Sequence, residues 1–190
     1  FFLAGYLAGL IWIAGLGHFG VAWFAASGAL NLQAGVPLIL FAVLAALVIL
    51  LVIVAVAWSL NPSRQDFAWF IRLRRPRWLV FEGLIPVIWL LIYACFYISA
   101  WLTWQASWSG LWMAAFLVQL VLVQSYTLVI CRSRSLGRGT AIGFAGWVWG
   151  IALTLAVASE SLLAAALLLP YLLWSPVGTW VTWQMRQLNR

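Results

Sequence analysis

Six stretches of about 20 residues, none of which contains Asp, Glu, Lys or Arg, dominate the sequence. They cover residues 1–26, 36–60, 84–104, 111–131, 140–158 and 161–185. An apolar helix of this length crosses a bilayer, and backbone polar groups inside lipid must be satisfied within helices or closed barrels. No alternation of apolar and polar residues favours barrel strands. The pattern therefore predicts an all-α polytopic membrane bundle of six helices.

The composition excludes several classes of protein. Apolar residues make up 67% of the chain and charged residues 7%, far from the balance of soluble globular domains. An ordinary soluble enzyme, a disordered chain and a nucleic-acid-binding domain are thereby excluded. The net charge of +7 is instead expected to reflect topology and contact with anionic lipids.

The distribution of arginine predicts the orientation. All ten basic residues are Arg, and they fall in the segments 61–83, 132–139 and 186–190. The connections on the other side, 27–35, 105–110 and 159–160, contain none. With six spans, the positive-inside rule places both termini and every Arg on the cytoplasmic face, or the stromal or cytosolic side of a photosynthetic membrane.

Patterns of catalytic and metal-binding residues are missing from the sequence. There is one His, the two Cys lie on different predicted spans, and no pair of carboxylates lies within a span. These residues make neither a catalytic triad nor a set of metal ligands. We therefore expect a protein that is not an enzyme and has no dedicated metal site.

Two ionisable residues have alternative roles. His18 lies inside the first predicted span, where a neutral imidazole could ligate the metal of a haem or chlorophyll, or instead hydrogen-bond to a neighbouring helix. Glu82 stands at the start of the third span. It is expected to pair with Arg75 or Arg77, or to lie at a helix N-terminus, where a negative charge is favourable. The alternative is a proton-linked role.

Aromatic residues also lie within the predicted spans, including Trp89, Trp147 and Trp174. Aromatic faces in an apolar bundle suit a flat, hydrophobic ligand. An Arg at the rim of the bundle could meet a carboxylate on such a ligand. The alternative is that these side chains serve helix packing alone.

Several short motifs resemble one known family. Pro86, Trp89 and Tyr93 form a P-x-x-W-x-x-x-Y pattern, and 169–174 reads Leu-Pro-Tyr-Leu-Leu-Trp. Further matching features are Gln119-Leu120, Tyr126-Thr127, Trp147 and Leu188-Asn189. Together they resemble the TspO/MBR family of tryptophan-rich sensory proteins, over residues 36–190.

The resemblance implies a five-helix domain around a ligand pocket associated with porphyrins. Its implied ligand is a tetrapyrrole of the porphyrin, haem or chlorophyll type, which the protein would bind, sense or transport. The implied loop over the pocket mouth is the Arg-rich segment 61–80, with Arg75, Arg77 and Trp78. The implied pocket residues are Pro86, Trp89, Tyr93, Gln119, Tyr126, Trp147, Tyr171, Trp174 and Gly178.

Departures from the family pattern support an alternative function. Val123 stands where the family has Asn, and Tyr126 where it has Trp. The additional N-terminal helix within residues 1–30 contains Gly5 and Gly9, a spacing that lets helix backbones approach closely. This helix is expected to contact another helix, a second copy or a partner. The alternative function is therefore a structural or assembly subunit of a larger membrane complex, for instance a photosynthetic one. A small-molecule transporter ranks last, because the spans show no inverted repeat.

Overall fold

The computed structural model describes residues 32–189, with side chains from residue 39 onward. Within that part the backbone forms helices and turns without strands, which confirms the all-α prediction there. The helices in chain order are α1 (Leu32–Ser59), α2 (Arg64–Ile71), a 3-10 turn (Glu82–Leu84), α3 (Ile85–Ser107), α4 (Gly110–Ser133), α5 (Leu136–Val157), α6 (Leu162–Ala166) and α7 (Leu169–Leu188).

Five segments of the described chain are long and apolar enough to cross a membrane. They are Ile39–Ser59, Glu82–Ser107, Gly110–Ser133, Leu136–Val157 and Leu162–Leu188. These confirm the last five predicted spans, and the chain is an integral membrane helix bundle. The predicted first span and His18 lie outside the described residues.

Helix α5 packs between α4 and α7, whereas α1 lies against α3 and α4. Ala57 is the one buried residue among the described side chains of α1. Ile49 and Ile53 of the same helix pack partly buried against the core. Because almost every residue of α1 is apolar, its sequence pattern does not distinguish the face toward protein from the face toward lipid.

Glycines allow α5 to approach its neighbours closely. Gly139, Gly143, Gly146 and Gly150 recur at helical spacing and so share one face of α5. A Cβ at Gly150 would lie 2.7 Å from Cε1 of Tyr171, and one at Gly146 would lie 3.0 Å from the Tyr171 hydroxyl oxygen. The Tyr171 ring on α7 therefore occupies the space that side chains on α5 would take.

The last predicted span, 161–185, is divided into α6 and α7, whereas its apolar stretch predicts one continuous helix. Pro170 lies in the first turn of α7 and lacks the N–H that would continue the preceding helix. At this break the Leu168 N–H bonds to Ala165 O rather than to Ala164 O. The buried Ser99 hydroxyl of α3 donates to Ala164 O at 2.7 Å. A side chain of another helix thus satisfies a carbonyl that the break leaves without its helical partner.

Pro176, inside α7, leaves a second backbone carbonyl without its helical hydrogen-bond donor. Because Pro176 has no N–H, it cannot donate to Leu172 O one helical turn earlier. The Trp147 indole N–H of α5 donates to that carbonyl at 3.1 Å. The contact joins α5 to α7 at the position where α7 is weakest.

The Trp147 hydrogen bond predicts a specific coupling between two residues. Trp147→Phe is expected to lower the free energy of unfolding by about 1 kcal/mol, because Leu172 O then has no donor in the membrane. In a Pro176→Ala background, residue 176 supplies its own N–H to Leu172 O. Trp147→Phe is then expected to lower the free energy of unfolding much less. Unfolding of the four proteins in a double-mutant cycle measures the difference. Equal costs in both backgrounds would contradict the assignment.

The described arginines gather at one end of the bundle, here called the Arg face. They are Arg64, Arg72, Arg74, Arg75, Arg77, Arg132, Arg134, Arg138 and Arg186. The segment 61–80, predicted as a loop, also contains α2 at this face. Ser63 caps α2 by accepting from Asp66 N at 3.1 Å and donating to Asp66 Oδ2 at 2.7 Å, a Ser-x-x-Asp signal present in the sequence.

Candidate functional site

An aromatic cavity lies between α3, α4, α5 and α7. Its free volume is about 30 Å³, so side chains fill most of the space between these helices. It is lined by Trp89, Leu122, Val123, Tyr126, Ile142, Gly143, Gly146, Tyr171, Trp174, Ser175, Gly178 and Thr179. Apart from a few hydroxyl groups, this lining offers aromatic and aliphatic surface.

Tyr126 is held on the side of the cavity formed by α7. Its hydroxyl donates to Gly178 O at 3.2 Å and contacts the hydroxyl of Thr182. Thr182 also donates to Gly178 O, at 3.1 Å. These contacts fix the phenol ring across the cavity, so Tyr126 narrows the space as well as lining it.

Gly178 leaves open space in the same wall. A Cβ placed on this residue meets no atom within 4 Å, in contrast to the glycines of α5 that contact Tyr171. Close helix packing therefore does not require a glycine at position 178, although this residue lines the cavity.

Buried polar groups lie at one side of the cavity. Ser175 Oγ donates to the Tyr171 hydroxyl at 3.4 Å. Gln119 on α4 is 1% exposed and lies near the same hydroxyl. Neither of its amide atoms makes a hydrogen bond of good geometry with the described residues. A buried amide of this kind is expected to bind an ordered water.

A chain of aromatic contacts connects the cavity to the Arg face. The Trp174 ring meets Phe81 edge-on, with centroids 6.3 Å apart, and Phe81 meets Trp78 at 6.2 Å. Trp78 and Phe81 belong to the segment 72–81 between α2 and the 3-10 turn, here called the cover. The cover therefore contacts Trp174, which lines the cavity.

Polar contacts hold the cover to the end of α7. The Arg74 N–H donates to Asn189 Oδ1 at 2.9 Å, and Asn189 Nδ2 donates back to Arg74 O at 3.0 Å. The Trp78 indole N–H donates to Gln184 Oε1 at 2.6 Å. These partners lie over 100 residues apart in sequence, so only the folded bundle brings them together.

Arg75 has a structural environment. It forms an ion pair with Glu82 at 3.0 Å, which confirms one of the two partners predicted for Glu82. Its guanidinium also lies 4.6 Å from the centroid of Phe70 and donates to Met185 Sδ at 3.4 Å. Arg77, by contrast, is exposed and lies next to Trp78.

A sequence model of the TspO/MBR family matches residues 42–188. The chain belongs to the TspO/MBR family. No curated protein sequence gives a significant match. Membership of this family supports, in general terms, a membrane protein that binds or senses tetrapyrroles.

The bundle of this TspO/MBR protein places the predicted pocket residues in two groups. Those that line the cavity together are Trp89, Tyr126, Tyr171, Trp174 and Gly178. The other four do not line it. Pro86 is exposed in the first turn of α3, and Tyr93 packs on the core around Phe96. Gln119 lies behind Tyr171, and Trp147 faces the other side of α7, where it bonds to Leu172 O.

Other cavity residues of this TspO/MBR protein were missed by sequence reasoning. Ser175 and Thr179 lie four and eight residues after Tyr171 on α7, and Gly143 and Gly146 lie shortly before Trp147 on α5. Helical periodicity from Tyr171 could have identified the first pair. The glycines gave no chemical signal. Among the described residues, no group of three His, Cys, Asp or Glu could hold a metal ion.

Proposed function

We propose that this protein binds a porphyrin-type tetrapyrrole in the central cavity and senses or transports it without catalysing a reaction. The observation that carries the proposal is the pair Trp89 and Trp174, which line the same apolar cavity from α3 and α7. Large aromatic side chains bind flat rings by burying area and by offset stacking. Family membership supports the same ligand class.

The chemistry of the lining fits a tetrapyrrole, but a free volume of about 30 Å³ has room for only about two water molecules. Binding therefore requires side chains to move. Trp174 contacts Phe81 of the cover, so outward movement of the cover would free the Trp174 ring. We infer that ligand access is coupled to release of the cover from α7.

The charged groups at the mouth have different roles in this proposal. Arg75 is occupied by Glu82 and Phe70, and it stabilises the cover. Arg77 is exposed beside Trp78 and is the better partner for a ligand carboxylate. By the positive-inside rule, the Arg face is proposed to lie in the cytoplasm.

Titration with protoporphyrin IX tests the proposed function. Purified protein in mild detergent is expected to shift the Soret band of the porphyrin, and the porphyrin is expected to quench tryptophan fluorescence. Trp58→Phe is the control variant and is expected to give the same two signals as the wild type. Trp58 is 78% exposed on α1 and does not line the cavity. A wild-type protein that changes neither signal would overturn the proposal.

Release of the cover predicts a kinetic effect. Asn189→Ala removes both hydrogen bonds to Arg74, which together stabilise the closed cover by about 1 kcal/mol. The rates of porphyrin association and dissociation are therefore each expected to rise roughly fivefold. The dissociation constant is expected to change little. Stopped-flow fluorescence measures both rates, with Asn61→Ala as a control at an exposed Asn of the same face. Unchanged rates would exclude the cover as a gate.

The nearly filled cavity supports one second candidate, a structural or assembly subunit of a larger membrane complex. In that case the family pocket would be an inherited scaffold whose side chains serve packing. Purification from the native membrane in mild detergent distinguishes the two functions. A colourless protein with a stoichiometric partner supports the subunit function, and a Soret-absorbing protein without a partner supports tetrapyrrole binding.

A further inference from the structure

A second concavity lies on the outer surface of the bundle, between α5 and α7. It has a volume of about 280 Å³, several times the free volume of the central cavity. Thr140, Phe144 and Trp147 line it from α5, and Pro176, Thr179, Trp180 and Trp183 line it from α7. Both helices belong to membrane-spanning segments, so this groove opens toward lipid.

The shape of the groove follows from side-chain size. Thr140 and Thr179 are half-buried and small, whereas Phe144 and Trp180 are 57% and 53% exposed and stand out as walls. The Thr140 hydroxyl donates to Leu136 O of its own helix, so it offers no free donor to an occupant. The groove is therefore an apolar channel with aromatic sides.

A cation lies about one helical turn beyond the groove residues, at the Arg face. The α5 row Thr140, Phe144 and Trp147 continues by helical spacing to Gly137, and the α7 row continues from Trp183 to Arg186. The Arg186 guanidinium lies 3.4 Å from the position that a Cβ on Gly137 would take. The missing side chain at residue 137 leaves room for this guanidinium across the first turn of α5.

Arg186 keeps its charge available. In the described part of the chain the one ion pair joins Arg75 to Glu82, and Arg186 is exposed. The N-terminus of α5 adds the positive end of a helix dipole at the same position. An apolar channel within the membrane that ends at an unpaired guanidinium is complementary to an acyl chain attached to an anionic headgroup.

We propose that the groove between α5 and α7 binds one acyl chain of an anionic phospholipid, whose phosphate pairs with Arg186. The aromatic walls Phe144 and Trp180 hold the chain, and Arg186 selects the headgroup. This groove shares Thr179 with the wall of the central cavity but opens on the outer surface, and the proposal does not depend on tetrapyrrole binding.

Native mass spectrometry of the detergent-purified protein tests the site. Delipidated protein is titrated with phosphatidylglycerol or phosphatidylcholine of identical acyl chains. The wild-type protein is expected to bind one phosphatidylglycerol more tightly than phosphatidylcholine. Arg186→Gln is expected to weaken phosphatidylglycerol binding about fivefold, as removal of one interfacial Arg contact predicts. Phosphatidylcholine binding is expected to weaken less, because the choline cation offsets the charge of its phosphate. Arg186→Lys is expected to keep the preference.

Two matched controls separate the groove from the general basic surface. Arg132→Gln removes an exposed Arg of the same face on α4 and is expected to leave the affinity for both lipids unchanged. Trp180→Ala removes one wall of the groove and is expected to weaken the binding of both lipids. Trp58 is also an exposed Trp, and Trp58→Ala is expected to weaken the binding of neither lipid.

Three results would overturn the proposal. Equal losses in Arg186→Gln and Arg132→Gln would show unspecific attraction to the Arg face. Unchanged lipid binding in Trp180→Ala would show that the groove holds no acyl chain. Displacement of the bound lipid by one equivalent of protoporphyrin IX, together with loss of porphyrin binding in Trp180→Ala, would assign the groove to the porphyrin.

Discussion

Replacement of Gly178 by leucine is expected to weaken protoporphyrin IX binding at least tenfold. Gly178 lines the central cavity, and a Cβ there meets no atom within 4 Å, so the larger side chain adds bulk at the wall of a cavity with little free volume. A ligand forced into an overfilled site is expected to lose about 1–3 kcal/mol, and 1.4 kcal/mol corresponds to a tenfold change in affinity. Fluorescence quenching by the porphyrin measures the loss.

The control for this variant is Gly110→Leu. Gly110 also has open space around it but lies at the start of α4, outside the cavity lining. This variant is expected to bind porphyrin as the wild type does, and both variants are expected to remain folded. Wild-type affinity in Gly178→Leu would place the porphyrin elsewhere on the protein and would leave the outer groove proposal untouched.

Replacement of Gly150 by alanine is expected to destabilise the bundle, whereas Gly178→Ala is not. The added methyl group at residue 150 lies 2.7 Å from Cε1 of Tyr171, which is 6% exposed and fixed between helices. Both glycines lie inside helices, so the gain in helix propensity is common to the two variants and cancels in their difference. The remaining difference in free energy of unfolding is expected to be about 2 kcal/mol, from overpacking.

Reversible unfolding of both variants in mixed micelles checks this difference. Gly150→Ala is also expected to disturb the cavity, because Tyr171 lines it and would have to move. Equal stability of the two alanine variants would show that α7 shifts freely against α5, and would remove the close-packing role assigned to the glycine row.

The candidate site was only partly predictable from the sequence. Trp89 and Trp174 are large aromatic residues in recognisable motifs, and the structure brings them to one cavity. Trp147 carries an equally strong sequence signal but faces the opposite side of α7. Its indole N–H is used by Leu172 O, because Pro176 cannot donate there. A motif identifies the residue type, while the backbone need of a neighbouring helix decides where the side chain points.

Local chemistry explains what the sequence by itself determined. The five described spans follow from uninterrupted apolar stretches, since a charged or unsatisfied polar group is costly in lipid. The grouping of arginines at one end follows from span counting, and the family follows from short motifs. Each of these properties depends on residues close together in the chain.

The tertiary structure alone decided the properties that depend on distant residues. Arg74 meets Asn189, Tyr126 reaches Gly178 O, and the Arg186 guanidinium lies beside Gly137. In spans that are apolar on every side, hydrophobic periodicity does not specify which face meets a neighbour. Small residues, freed carbonyls and side-chain volume make that choice, and they act only when the helices are packed together.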